Sequence, residues 1–342
     1  MEGRVRSPML PVTTRNISLN TIRSAAETVY EAAVRTPLVR LEVPVDDRGP
    51  GASRLAPRIF LKLETLQPIG SFKIRGAYNA IRRLPPDALA GGVWTVSAGN
   101  AAQGVALAAR LVGAPCSVLV MDTAPETKLR AIERLGATIV KASYDECWRT
   151  VEQHGSDRMH GHFVHPFDND HFISGNGTLG LEICEDLPDV DAVIAPLGGG
   201  GLLAGIGYAL HALAPGARVY AAEPATAAPL ATSLRAGRPS YFEGWQASFV
   251  DGAGGRSVLE SMWPLLRERV SDSIVVTLDE AARAMKLAAD RAHVIAEGAA
   301  ACAIAAALSP EFIAHGHRNV VAVVSGGNID LTRFAQLVGA CT

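Results

Sequence analysis

Cysteine is scarce in this chain of 342 residues, and the way it is used excludes several classes. The five cysteines, Cys116, Cys147, Cys184, Cys302 and Cys341, are odd in number, widely spaced and without a CxxC pair. Neither a disulfide framework nor a zinc site is supported, and a reduced, cytoplasmic setting is expected. Charge of one sign is also lacking: 32 Lys and Arg face 34 Asp and Glu, a net charge of −2. There is no basic footprint for a nucleic-acid partner. No apolar run reaches membrane-spanning length, the Ala-rich stretch 299–308 included, so no membrane partner is expected. Residues 1–20 scatter Arg and Pro, lack the apolar core of a secretory signal, and are expected to form a loose arm. Repeats and low-complexity tracts are missing as well.

Apolar residues are plentiful at 48%, which suffices for a large core or two α/β lobes. The patterning predicts a helix over 21–34, a strand over 38–43, an exposed loop over 46–56, a strand over 59–63 and a helix over 74–84. From residue 93 strands and helices alternate regularly. Strands are expected at 93–96, 117–121, 137–142 and 163–164, with helices at 101–112, 125–135 and 144–153 between them. Further strands fall at 192–196, 218–222, 274–278 and 320–324, and further helices at 177–187, 202–213, 257–266, 279–292 and 299–308. A loop-rich section covers 224–256. Such alternation predicts the α/β class, with open parallel sheets and right-handed crossovers. Residues 92–168 are expected to form a small lobe, inserted into a large lobe made of 21–91 and 169–342.

Three glycine-marked stretches and one lysine carry the chemistry. In Gln67-Pro68-Ile69-Gly70-Ser71-Phe72-Lys73-Ile74-Arg75-Gly76-Ala77, a loop enters a helix with Ser71 as the expected N-cap and Lys73 in the first turn. A helix N-terminus favours anions, so a desolvated lysine there has its pKa pushed down. A neutral amine can attack an aldehyde. By itself this stretch also suits a solvated surface lysine beside a packed Phe.

Leu197-Gly198-Gly199-Gly200-Gly201-Leu202 follows a strand and opens a helix, so its N–H groups can converge on a phosphate. Four consecutive glycines weaken a purely structural turn through lost chain entropy. The same stretch fits a relaxed dinucleotide fingerprint, Gly199-x-Gly201-x-x-Ala204, with Glu223 ending the next strand as a ribose-binding acid. Alone, it supports a nicotinamide oxidoreductase equally well. That chemistry leaves Lys73, Ser97-Ala98-Gly99-Asn100 and Ser325-Gly326-Gly327-Asn328 without a use.

Together and in this order, the motifs resemble the pyridoxal-phosphate enzymes of fold type II, of tryptophan synthase β-like architecture. Within that group the likeness is to the threonine/serine dehydratases (ammonia-lyases), and it runs from about Thr36 to the last strand. The resemblance implies pyridoxal 5′-phosphate as cofactor, carried as a Schiff base on Lys73, which then takes the substrate's α-proton. It implies Phe72 beneath the ring, Asn100 on the ring hydroxyl, and Gly198, Gly199, Gly200, Gly201 and Leu202 around the phosphate. Ser325 would face the ring nitrogen, where a neutral hydroxyl cannot hold a proton as a carboxylate would; the weaker electron sink suits β-elimination. Ser97, Ala98, Gly99, Asn100 and Ala101 form the implied substrate turn, with N–H groups on its carboxylate.

Two departures from the family pattern bear on substrate and outcome. The family often has His where this chain has Ala101, which leaves room for a bulkier substrate. Serine racemases carry a second serine where Ala98 stands, the acid/base for the opposite face, and its absence argues for elimination. Glu297 resembles an acid near the cofactor in dehydratases, and a helix N-terminal acid explains it equally. Glu223 matches one ligand of a divalent-cation site in some members, but Pro229 stands where a further carboxylate belongs, so no metal is expected. His165, His171 and His293 are expected to be structural or surface residues.

The implied activity is β-elimination of L-threonine or L-serine to a 2-oxo acid and ammonia, by a homodimer or homotetramer acting on a small amino acid. The alternatives are a lyase for a bulkier β-hydroxy amino acid (phenylserine, hydroxyaspartate), a serine racemase, a nicotinamide oxidoreductase or a non-catalytic cofactor-binding protein. Because the chain ends soon after Ser325, no effector domain and no feedback inhibition by isoleucine are expected.

Overall fold

A computed structural model describes residues 15–43 and 57–341. Most of the expected arm and the whole of the expected 46–56 loop lie outside the described residues. Among the described residues, ten strands form two sheets. They are β1 (Leu38–Arg40), β2 (Arg58–Leu63), β3 (Val93–Val96), β4 (Cys116–Met121), β5 (Thr138–Ala142), β6 (His162–Phe163), β7 (Ala192–Pro196), β8 (Arg218–Pro224), β9 (Asp272–Val276) and β10 (Asn319–Val324). One sheet runs β1-β2-β10-β7-β8-β9 and the other β5-β4-β3-β6.

The sequence explains the sheets' depth. β7 (AVIAP) and β10 (NVVAVV) are buried at every position, as strands covered on both faces must be. On one face lies the helix Gly298–Leu308, whose run of alanines lets it approach β7, β8 and β10 closely. On the other lie the helices Asp170–Asp186 and Gly201–Leu213. No helix among the described residues is long and apolar enough to cross a membrane.

The helix that carries the lysine, Lys73–Arg82, is held by buried charge. Arg75 Nε and Nη2 each reach a Glu64 carboxylate oxygen at 2.8 Å, and Nη1 reaches Glu182 at 2.6 Å. Lys62 joins Glu182 at 2.7 Å, and all four side chains are fully buried. Two cations meet two anions with forked geometry, which is the condition under which charge tolerates such burial. Glycine makes the approach possible: a β-carbon on Gly76 would fall 2.3 Å from the Phe172 ring.

The α/β class with parallel sheets holds, with one exception. β1 pairs antiparallel with β2, while every other pairing is parallel. Several expected bounds also shift. Asn169 caps the helix Asp170–Asp186 through its side chain, so this helix starts well before residue 177. The loop-rich section contains the helix Pro229–Ala236, and the helix expected at 257–266 is Trp263–Arg269. A terminal helix, Leu331–Gly339, follows the last strand. Ser71 is not the cap of the lysine helix: Phe72 holds that position, and Ser71 forms a β-bridge with Gly326.

Candidate active site

A cavity of about 470 Å³ opens where the C-terminal ends of β3, β7 and β10 face one another from the two sheets. Ligands of open parallel sheets collect at this end of the strands. Four helices point their N-termini at it: Lys73–Arg82, Asn100–Val112, Gly201–Leu213 and Gly298–Leu308. None of the four has a side-chain cap. Helix N-termini left open in this way present unpaired N–H groups and partial positive charge to one space, a setting for anions.

Lys73 lines this cavity, with Nζ 2.9 Å from the main-chain oxygen of Pro166. The amine also stands 5.1 Å from the centre of the Phe72 ring and 5.4 Å from that of Phe172. Burial among these rings lowers its pKa to about 8, while the Glu297 carboxylate pulls the other way. Phe72 is itself tied to the third motif, its N–H donating to the main-chain oxygen of Ser325 at 3.0 Å.

Gly198, Gly199, Gly200, Gly201 and Leu202 make the wall opposite the 97–101 turn, and their glycines are sterically required. A β-carbon on Gly199 would sit 2.1 Å from the Phe167 ring, and one on Gly201 would sit 2.6 Å from the Phe167 carbonyl oxygen. Gly200 has φ +90°, a left-handed conformation that suits glycine. Phe167 therefore presses directly on the backbone of the glycine run and aligns its amides.

Ser97, Ala98, Gly99, Asn100 and Ala101 line the cavity from the small sheet. Ser97 Oγ accepts from Gly99 N–H at 3.1 Å and so holds the turn. Asn100 Nδ2 donates to Glu297 Oε1 at 2.8 Å. Glu297 is 6% exposed, and burial raises its carboxyl pKa to about 7, with nearby Asp251 adding to the rise. Ser325, 2% exposed, completes the set on the large sheet.

Glu223 is the exception among the expected residues, since it does not line the cavity. Its carboxylate accepts from Leu230 N and Ala231 N at 2.8 Å each, and from Ser273 Oγ at 2.5 Å. The first turn of Pro229–Ala236 thus takes up the lone pairs a cation would use. His154, His165 and Asp168 offer a second cluster of metal-type atoms. His165 cannot contribute, because Nδ1 accepts from Phe167 N and Asp168 N while Nε2 meets Val151 O at 3.1 Å. It is the buried structural residue expected, held neutral with a pKa pushed down to about 3 by burial.

Sequence reasoning missed the 166–167 segment, whose role arises only when the chain folds back on Lys73 and the glycine run. It also missed Lys128 and Asp251, which both line the cavity and form an ion pair.

Comparison with known proteins supplies the family. Residues 29–326 match the family model described as pyridoxal-phosphate dependent enzyme. The chain is 36% identical over 328 residues to the L-threonine ammonia-lyase of Thermotoga maritima, covering 94% of this chain and 78% of that protein. It is 40% identical over 282 residues to the serine racemase of Homo sapiens, covering 80% and 82%. The solved structure of maize serine racemase superposes with a TM-score of 0.83 at 32% identity, covering 94% of this chain and 96% of that one.

Pyridoxal 5′-phosphate fits the residues present. The cofactor needs an amine that deprotonates near neutral pH, a seat for a dianionic phosphate and a polar rim for its ring. The lowered pKa of Lys73, the uncapped glycine helix and the Asn100–Glu297 pair offer these in one cavity. The chain belongs to the pyridoxal-phosphate-dependent enzymes of fold type II, in the threonine/serine dehydratase family.

Proposed function

We propose that this protein is an ammonia-lyase that converts L-threonine and L-serine to the corresponding 2-oxo acid and ammonia. The observation that carries the proposal is the pairing of an amine poised to be neutral with an alanine, Ala98, on the facing turn. Lys73 can take and hold a proton on one side of the substrate. Ala98 has no atom that could return one on the other side, so the two-sided proton exchange of a racemase lacks a partner there.

Lys73 would hold the cofactor aldehyde, with Gly198 to Leu202 at its phosphate, Asn100 at its ring hydroxyl, Ser325 at its ring nitrogen and Phe72 against the ring. When bound, pyridoxal phosphate supplies a carbonyl that condenses with amines and a conjugated ring that accepts the electrons of an adjacent C–H bond. The uncapped amides of Asn100 and Ala101 at the helix start would bind the substrate carboxylate and so orient its α-hydrogen. With substrate in place, the Lys73 amine would be the general base that removes that hydrogen. Its pKa near 8 keeps a useful neutral fraction at physiological pH. The β-hydroxyl leaves with a proton as water, and a later water releases ammonia, so the net change is amino acid to 2-oxo acid plus ammonia. Residues 92–168 act in this proposal as a small lobe that brings the substrate turn to the large one.

The purified protein, supplied with pyridoxal phosphate, should release 2-oxobutanoate from L-threonine and pyruvate from L-serine. The likeness to serine racemase supports a second reading, and D-serine formed faster than pyruvate would establish it. Turnover confined to phenylserine or hydroxyaspartate would move the substrate to the bulkier class that Ala101 leaves room for.

A further inference from the structure

Asn328 belongs to a motif of which the mechanism above uses only the serine. Its side-chain amide nevertheless sits among several parts of the site. Asn328 Nδ2 donates to the main-chain oxygen of Ile69 at 2.8 Å and to Asn100 Oδ1 at 2.7 Å. Ile69 lies in the loop that leads to Lys73, and Asn100 opens the first helix of the other half of the cavity wall. The main-chain N–H of Asn328 also bonds Glu297. Gly70 leaves the space it needs: a β-carbon there would lie 2.8 Å from Asn328 Oδ1.

These contacts fix a direction. A main-chain carbonyl can only accept, so Ile69 O forces the NH₂ end of Asn328 toward itself. The second hydrogen of that NH₂ then requires an acceptor on Asn100, which turns Asn100 Oδ1 toward Asn328. Asn100 Nδ2 is thereby aimed the other way. One of its hydrogens goes to Glu297 Oε1 at 2.8 Å, and the second remains. Reversing the Asn100 amide would set donor against donor at Asn328.

We propose that Asn328 is a positioning residue that locks the amide of Asn100 so that it meets the cofactor as a hydrogen-bond donor. The polarity is anchored on a peptide carbonyl rather than on a titrating group, so Asn100 remains a donor across the working pH range. The oxygen it faces is thereby favoured in its deprotonated, accepting form. The proposal rests on the seat assigned above to Asn100 at the cofactor's ring hydroxyl.

The test uses the full chain with pyridoxal phosphate and two readouts besides turnover: the dissociation constant of the cofactor and the absorption band of the bound form. Asn328→Leu removes the donor at similar size, and Asn328→Asp replaces it with an acceptor that invites the Asn100 amide to flip. Each should raise the cofactor dissociation constant at least tenfold and move the band toward the near ultraviolet. The order of severity should be Asp over Leu, because a flipped amide is worse than a free one. Asn100→Asp, which also lacks the donor, should give the same band. Combining it with Asn328→Asp should add less than twofold, since both act on one hydrogen bond. A wild-type band and affinity in either Asn328 variant would overturn the proposal. So would an unaltered band in Asn100→Asp, or full multiplication of the two effects. If neither Asn328→Leu nor Asn328→Asp folds, the smaller Asn328→Ser, whose single hydroxyl hydrogen cannot serve both Ile69 O and Asn100 Oδ1, takes their place, and an unshifted band there would overturn the proposal. Wild-type protein that takes up the cofactor but releases no 2-oxo acid from L-threonine or L-serine would sink the proposed activity and leave this positioning role standing.

Discussion

Lys73 Nζ donates a 2.9 Å hydrogen bond to the main-chain oxygen of Pro166, in the segment that joins β6 to the helix Asp170–Asp186. The next residue, Phe167, presses on Gly199 and Gly201. One short link between the sheets thus touches both the amine and the glycine run proposed to hold the phosphate.

The first prediction follows from the lysine. Burial lowers its pKa to about 8, so the neutral, attacking fraction grows until that pH and then levels off. The rate at which apo-protein captures pyridoxal phosphate should rise about tenfold between pH ~7 and pH ~9 and then flatten. Stopped-flow absorbance checks this. A rate still climbing about tenfold per pH unit between pH ~8 and pH ~9 would mean an unshifted amine.

Glu297 gives a stability signature of opposite kind. Its folded pKa, about 7, lies above the ordinary carboxyl value of 4.5, so the folded protein binds the extra proton between these limits. The stabilisation from that proton is complete below pH 4.5 and is lost as pH rises through 7. Relative to wild type, Glu297→Gln apo-protein should therefore gain on the order of 2–3 kcal/mol between acid and neutral pH. Urea unfolding at a series of pH values measures it; parallel curves for the two proteins would refute the shift.

Gly199→Ala tests the anion seat. Its β-carbon would overlap the Phe167 ring at 2.1 Å, so either the ring or the glycine run must move. Cofactor affinity should fall at least about tenfold, with a stability loss of roughly 1–3 kcal/mol from overpacking. Equilibrium dialysis and thermal unfolding read the two effects separately. Unchanged affinity would show that the amides of this run do not hold the phosphate.

How much of this could be seen in the chain itself depended on range. The strand at 192–196 and the helix at 144–153 match their observed bounds, because a buried apolar run and an amphipathic period are local signals. Lys73 and the four glycines were visible for the same reason, as residue types ill suited to their local structure. The start of Asp170–Asp186 was hidden because its first turns mix Phe172 and Ile173 with glycines and the polar Ser174 and Asn176, which only packing against other helices buries. The strand expected from residue 38 is present as β1, but its antiparallel direction could not be seen, since direction is set by pairing with β2. Pro166, Phe167 and the side-chain bonds of Asn328 carry no local mark; their importance exists only after distant segments meet.

The buried charges around Arg75 yield a fourth prediction. Arg75→Leu would leave Glu64 and Glu182 without their guanidinium, at a cost of roughly 3–5 kcal/mol in urea unfolding. Arg75→Lys should recover only part of this, because a point charge cannot span the two carboxylates that the fork spans. Full recovery with Lys would mean that charge alone, without geometry, holds the helix.

The most direct measurement compares wild type with Lys73→Ala, both purified with pyridoxal phosphate and assayed for 2-oxo acid from L-threonine and L-serine. Wild type should show the visible band of bound cofactor and release product, whereas the variant should lose the band and at least about a thousandfold in rate. A Lys73→Ala protein that still turns over threonine at a comparable rate would contradict the account at its centre.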